Sequence, residues 1–261
     1  MSGKHSCRRV GFLRVLNEEH TIIPCLLSVA PVLDHVAITW SDTQDRSIEL
    51  ARAWEQTILD RFQCTLSFLP YQHHIVPPHS VDDLRHVPVE NRIDTYLNHG
   101  MKHILDLNEG MPFCMCKVDG DQIYFTHELE KAFNAINDPD SCIALQGHNT
   151  LVHQNRFMLY KPRPINGGGD YLICGTGNLP RFGITAPYEV DVTPHPRLNR
   201  YPNPCWMHFM RTAKYGSTIR AFHDGETMPV NQSPMLMERY HQYILPLLQE
   251  AKSPYAGLRL D

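Results

Sequence analysis

The chain has no long run of lysine or arginine, and its 261 residues carry a formal net charge of −4. That excludes nucleic acid as its main partner, because the basic, counterion-releasing face such proteins need is missing. No uninterrupted apolar stretch approaches the ~20 residues that span a bilayer. The N-terminus, Met1 to Arg9, lacks the apolar core of a secretion signal. A cytoplasmic protein is expected, with at most a peripheral hold on a membrane. Sixteen histidines are scattered, and His73, His74 and His79 lie among prolines with no HExxH or Cys/His finger spacing around them. Internal repeats and low-complexity segments are absent too.

What is present fits one large α/β domain with a C-terminal elaboration. The eight cysteines agree with a reducing compartment, since several sit inside apolar runs. Cys114 and Cys116 share a strand face; a zinc site would need further ligands close by, so core thiols are expected. Val10–Leu16 reads as a buried strand and residues 19–29 as a short helix with Pro24 in its first turns. Val36, Ile38 and Trp40 alternate as a second strand. Ser47 can cap a helix in which Leu50, Trp54, Ile58 and Phe62 form one apolar face. A third strand follows at Thr65–Leu69, an irregular Pro/His-containing connection at 70–88, a helix at Val89–Leu107, and a strand ending at Asp119. This alternation calls for a mostly parallel sheet covered by helices, with the ligand crevice outside the strand C-terminal ends. Asn17, Asp42 and Asp119 fall at such ends. Beyond Tyr124 the pattern loosens: a helix near 132–136, strands at 141–146 and 156–160, a flexible Ile165-Asn166-Gly167-Gly168-Gly169-Asp170-Tyr171 loop, and a proline-dominated loop from Ala186 to Pro204. In the tail, Leu236, Tyr240, Ile244 and Leu248 form a helical stripe that either packs on the domain or meets a membrane surface or a second copy.

The most informative segment is Phe113-Cys114-Met115-Cys116-Lys117-Val118-Asp119-Gly120-Asp121. In extended backbone, residues i and i+2 face the same way, so Asp119 and Asp121 can converge on one hard divalent cation. An Asp-x-Asp is also common in solvated turns, so its surroundings matter. Upstream, Leu16-Asn17-Glu18-Glu19 follows the first strand and opens a helix, and Ser41-Asp42-Thr43-Gln44-Asp45 follows the second. This order resembles the GT-A-fold, nucleotide-sugar-dependent glycosyltransferases, particularly family 2, over roughly residues 8–125 and in patches beyond.

The resemblance implies a GT-A-type α/β domain, divided into a nucleotide-sugar-binding half (8–125), an acceptor and catalytic half (126–232) and a helical tail (233–261). It implies a metal-dependent transfer of a sugar from a nucleoside-diphosphate sugar, a UDP-sugar, to a glycan or lipid-linked glycan, as in lipopolysaccharide or capsule synthesis. Asp119 and Asp121 would hold Mn²⁺ or Mg²⁺, with His208 as third ligand, because Cys205-Trp206-Met207-His208 resembles the Trp-x-His found late in many such enzymes. Leu16 and Asn17 would line the base pocket, Asp42 or Asp45 would reach base or ribose, and Glu18 would touch ligand or cap a helix. Lys102 falls in a stretch comparable to the donor-contacting helix before Asp-x-Asp. Arg211 and Lys214 either lean over the diphosphate or belong to a solvated face. For inverting transfer, Asp170 after three glycines is the candidate base, with His148 and Asp224 behind it. The chain departs from family 2 in placing Trp40-Ser41, not paired aspartates, directly after the second strand; Trp40 stacks on ligand or joins the core. A sugar nucleotidyltransferase is the alternative enzyme, although its first turn is normally glycine-rich and basic. A nucleotide-sugar-binding module without turnover is the other alternative.

Overall fold

The structure, a computed structural model, describes residues 7–76, 86–153, 155–166, 172–185, 188–195, 198–211 and 227–260. Asp170, Lys214, Asp224 and His79 lie outside them. Four strands make a parallel block, β1 (Arg8–Val15), β2 (His35–Trp40), β3 (Thr65–Pro70) and β4 (Phe113–Asp119), in the order β3-β2-β1-β4. They are joined through helices α1 (Ile22–Val29), α2 (Ser47–Phe62) and α3 (Ile93–Leu107). The α/β class with a parallel core between helices is the one expected from the sequence. In β1, β2 and β4 nearly every residue is buried, as befits strands covered on both faces.

α1 shows no polar face because all eight of its residues are buried between the sheet and its neighbours. α3 approaches the sheet closely enough that Gly100 has no room for a side chain: a Cβ there would stand 2.3 Å from the Phe12 ring. Ser47 does not cap α2. It is the first helical residue, and Asp45 accepts a hydrogen bond from its backbone N–H at 2.9 Å.

The second half extends the same sheet. After β5 (Gln122–Tyr124) and α4 (Thr126–Asn134) come β6 (Cys142–His153), β7 (Arg156–Asn166) and β8 (Leu172–Gly175). β8 lies antiparallel between β4 and β6 and joins the halves. β9 (Phe182–Thr185) and β10 (Tyr188–Asp191) form a separate hairpin. β11 (Leu198–Arg211) runs parallel to β6 and antiparallel to β5, and β12 (Thr227–Pro229) pairs with β7. The segment expected as proline loop, 186–204, therefore holds β10 and the first half of β11. The prolines are accommodated by register shifts between Arg200, Pro204 and Trp206, where a residue with no N–H need not complete the ladder.

The tail comprises α5 (Pro234–Arg239), a π-helical turn (Tyr240–Ile244) and α6 (Leu245–Glu250). Leu236, Tyr240, Ile244 and Leu248 are all buried in one cluster with Phe157, Leu159, Met207 and Phe209. The stripe is thus spent on packing against β7 and β11 rather than presented to a membrane or a second copy. No helix among the described residues is long and apolar enough to cross a membrane. Cys25, Cys64, Cys114, Cys116 and Cys205 are buried free thiols, whereas Cys142 and Cys174 are joined as a disulfide. That bond departs from the expectation of thiols throughout, because β6 and β8 place the two residues directly opposite each other, a relation visible only once the strands are paired.

Candidate active site

The parallel strands end together: Val15 pairs with Trp40, Trp40 with Pro70, and Arg14 with Asp119. Charged and polar side chains gather at this edge. Asp119 is the last residue of β4, the chain turns at Gly120, and Asp121 stands immediately before β5. The two carboxylates are thus not successive same-face positions of one strand, as the spacing alone suggests, but flank a turn. The turn is held by Gly120 N–H donating to the Arg14 carbonyl at 3.0 Å and by Phe209 N–H donating to the Asp121 carbonyl at 2.8 Å. Glycine is needed there, since a Cβ would meet Glu18 Cγ at 2.9 Å.

Both carboxylates are buried; Asp119 faces two cationic side chains and Asp121 faces the His208 ring. Arg14 Nε donates to Asp119 Oδ1 at 3.1 Å, and Lys117 Nζ reaches Asp119 Oδ2 at 3.2 Å. Burial works to raise the Asp119 pKa, but Arg14 and Lys117 outweigh it, Asp121 opposing them and His208 assisting, so the carboxyl is held below the usual range and stays ionised. Asp121 Oδ1 lies 3.0 Å from His208 Nε2, and the other ring nitrogen of His208 faces Asn149 Oδ1 at 3.2 Å. The ring is therefore oriented from behind by an amide while its front nitrogen meets a carboxylate, the arrangement that serves metal-ligating histidines. Glu18 is buried beside Gly120, and with Asp119 and Asp121 it pushes the buried Cys25 thiol further up than burial alone does. Gln122 Nε2 is buried without a hydrogen-bond partner among the described residues, a donor left for an oxygen.

Two carboxylates and an imidazole suit Mn²⁺ or Mg²⁺ in kind, but the ligand atoms of Asp119, Asp121 and His208 do not all come within 4.8 Å of one another. Asp121 and His208 are the better placed pair, because both Asp119 oxygens already face ammonium or guanidinium groups.

The first two turns carry the expected residues with different duties. Asn17 and Asp42 adopt left-handed backbone, with φ of 57° and 45°, a conformation Asn and Asp tolerate better than other non-glycine residues. Asn17 Oδ1 accepts from the Gln44 N–H at 2.8 Å and so ties the two turns together. Asp45 is used up structurally: one oxygen accepts from Glu19 N–H at 2.9 Å and the other from Ser47, including a short contact with its hydroxyl. A contact with base or ribose would have to be made in addition to these bonds. Asp42 Oδ2 takes Ile75 N–H at 2.9 Å, Ser41 Oγ at 2.8 Å and His74 Nδ1 at 2.8 Å. Burial, the largest single influence, pushes its pKa up, but these bonds and the nearby His74 together outweigh it and lower it. Leu16 is exposed at the same edge, and Trp40 is half-buried against the core.

Lys102 does not point toward the carboxylates. It is exposed on α3 and paired with Asp106 at 2.6 Å, one turn along the outer face. The residue of α3 within electrostatic reach of Arg14 and Asp119 is Tyr96, which is buried. His148 is corrected as well. On β6 it is paired with Met207 while Asn149 is paired with His208, so the pleat turns His148 to the opposite face of the sheet. Neither of its ring nitrogens has a hydrogen-bond partner among the described residues, and burial lowers its pKa to about 4. Arg211 ends β11, two strand positions beyond Phe209.

Reading the sequence missed Lys117, Arg14, Asn149 and Tyr96. Lys117 carried a signal, being two residues before Asp119 on the same strand face. The others are brought in by strand register and helix docking. A cavity of about 550 Å³, lined by Cys7, Asn108, Phe113 and Thr176, lies at the opposite, N-terminal ends of β1 and β4 and is remote from this chemistry.

No protein-family model matches the chain, and no curated protein does. Solved structures do. Glucosyl-3-phosphoglycerate synthase from Mycobacterium tuberculosis, in complex with Mn²⁺, UDP and glucosyl-3-phosphoglycerate, is 14% identical over 56% of this chain and 44% of that one, with a TM-score of 0.32. The same enzyme with Mn²⁺ and UDP-glucose gives the same figures. A structure described as a mycobacterial protein is 12% identical over 57% and 43%, with a TM-score of 0.33. The chain spans less than half the length of these proteins. Likeness this slight carries no residue across, and the site rests on its own geometry.

Proposed function

We propose that the chain is a metal-dependent GT-A-type glycosyltransferase, moving a sugar from a nucleoside-diphosphate sugar, a UDP-sugar, to a glycan or lipid-linked glycan acceptor of the lipopolysaccharide or capsule kind. The observation that carries this reading is the 3.0 Å approach of Asp121 and His208, from distant parts of the chain, at the edge where the parallel strands end. Open parallel sheets bind ligands at that edge. Asp121 and His208 would hold Mn²⁺ or Mg²⁺, with Asp119 joining them only by a shift away from Arg14 and Lys117; the ion when bound supplies Lewis-acid neutralisation of the departing diphosphate. Asn149 fixes the imidazole for that duty. Leu16 and the Asn17 and Asp42 turns would receive the nucleoside, and the Gln122 amide N–H, buried without a partner among the described residues, would donate to a ligand oxygen. Asp170, Arg211 and Lys214 keep the roles of base and diphosphate contacts as part of the proposal.

The cationic partners of Asp119 favour one second reading, a module that binds nucleotide sugar without turnover, since a carboxylate already neutralised offers a cation less. Calorimetric titration of UDP-sugars with and without Mn²⁺, followed by detection of released nucleotide, separates the two. Mn²⁺-dependent UDP release that falls at least about a hundredfold in Asp121→Ala and His208→Ala is the expected outcome. Tight Mn²⁺-dependent binding with no hydrolysis or transfer would establish the module, and release of pyrophosphate from a nucleoside triphosphate and a sugar phosphate would establish a nucleotidyltransferase. Turnover that is indifferent to chelators would refute the metal role.

A further inference from the structure

A second group of metal-ligating side chains lies apart from the carboxylate edge. Cys142 opens β6 and Cys174 lies in β8, directly opposite in the antiparallel register, with Cα atoms 4.4 Å apart. His195 completes the group: its Nδ1 is 3.3 Å from Cys142 Sγ, and one ligand atom from each of the three residues lies within 4.8 Å of the other two. The cysteines are wholly buried among Leu172, Ala144 and Leu179, whereas His195 is half-exposed. The group therefore meets solvent through His195.

The segment leading to the histidine is tied down. Val192 N–H donates to the Arg181 carbonyl at 2.8 Å, Thr193 Oγ1 accepts from Arg181 N–H at 2.7 Å and donates to the Leu179 carbonyl at 3.3 Å. These bonds fasten the 192–193 segment on the 179–181 segment. The carbonyl of Asn178, next to it, stands 3.5 Å from Cys142 Sγ. Three ligands of which two are thiolates, backed by a fixed shell and open to solvent on the histidine side, suit a soft or borderline cation in a tetrahedral site with one exchangeable position.

We propose that Cys142, Cys174 and His195 form a redox-gated site for Zn²⁺. In the disulfide form no thiolate is available and the site is closed. A dithiol reductant delivers two electrons and two protons, the S–S bond breaks, and two thiols result while the reductant becomes a disulfide. Zn²⁺ then displaces the two thiol protons and is bound by both sulfurs, the His195 Nδ1 and a water. The site sits on β8, the strand that joins the two halves of the sheet, so cation binding fixes the β6–β8–β4 seam in place of the covalent bond.

Cobalt serves as the probe, because it reports its ligands by colour. Anaerobically reduced full-length protein, with eight free thiols counted, is titrated with Co²⁺. One equivalent should bind with thiolate-to-cobalt charge transfer and the strong visible bands of a tetrahedral ion, and Zn²⁺ should displace it. An ion at Asp121 and His208 has oxygen and nitrogen ligands and gives no thiolate charge transfer, so the two sites are read separately. Diamide-oxidised wild type, which needs no mutation, should lose the signal, as should Cys174→Ser. His195→Gln should weaken Co²⁺ binding by at least about tenfold, the loss that even outer partners of a ligand cause. Cys7→Ser should change nothing. Charge transfer that survives oxidation, survives Cys174→Ser, or fails to appear in the fully reduced wild type would overturn the assignment.

Discussion

Lys117 is a nearly solvent-free ammonium group whose charge is answered by Asp119, and this shapes what its replacement should do. Removing one partner of a buried ion pair costs about 3–5 kcal/mol, because the other charge stays buried. Lys117→Met should therefore lose stability on that scale in metal-free buffer, and millimolar Mn²⁺ should restore part of it by supplying positive charge to the same carboxylates. Urea unfolding of both proteins with and without Mn²⁺ measures the difference. An equal loss in both buffers would mean that no cation reaches Asp119. At this scale the aspartates were readily legible, since an Asp-x-Asp after an apolar run needs no three-dimensional knowledge. Arg14 was not, because its place beside Asp119 depends on which residue of β1 faces which of β4. Asp45 was ambiguous for the converse reason: a carboxylate at a strand end looks the same in one dimension whether it meets ligand or backbone N–H groups.

Elements were legible wherever local periodicity and packing agreed. The strand-helix alternation through β4 follows from apolar runs bounded by turn residues, and the observed bounds differ from the expected ones mainly at helix starts, where Ile22 and Ile93 replace residues 19 and 89. β11 was hidden because prolines are read as loop, while a bulged strand tolerates them. Gly100 illustrates packing overruling propensity. In an isolated helix Gly→Ala gains roughly 1 kcal/mol, yet here the new methyl would press into Phe12, an overpacking that typically costs about 1–3 kcal/mol. Gly100→Ala should therefore lower the melting temperature, and a double variant with Phe12→Leu should recover part of the loss. The tail stripe holds a subtler lesson. Positions four apart drift about 40° per step around an α-helix with 3.6 residues per turn, so Leu236, Tyr240, Ile244 and Leu248 would fan out across a broad face. The wider turn at Tyr240–Ile244 brings them back into line, and all four are buried.

For the molecule as a whole, acid should weaken the fold before any carboxylate is protonated. His35 and His148 are buried and both have pKa values lowered to about 4, in each case by burial first, with Arg8 and His103 contributing at His35 and Arg239 at His148. The unfolded chain binds these protons near pH 6.5 and the folded chain does not until about pH 4, so stability is complete above the first value and falls as the pH drops toward the second. Asp119 adds to the decline at lower pH, because its depressed pKa means that its contribution disappears only as pH falls through the folded value. His148→Leu should match wild type at pH 7.5 and exceed it by roughly 2 kcal/mol at pH 5, measured by urea unfolding. A parallel dependence on pH in both proteins would show that His148 is protonated in the folded state.

The approach of His208 to Asp121 joins a loop in the middle of the chain to a strand near its end, and thereby spans the boundary between the parallel block and the strands added to it. A divalent ion gripped by both would act as a detachable clip across that boundary, stabilising the folded chain because it binds that state and not the unfolded one. Cellular manganese would then govern the lifetime of the protein as well as its chemistry, so that starvation for the ion hands the idle chain to proteases.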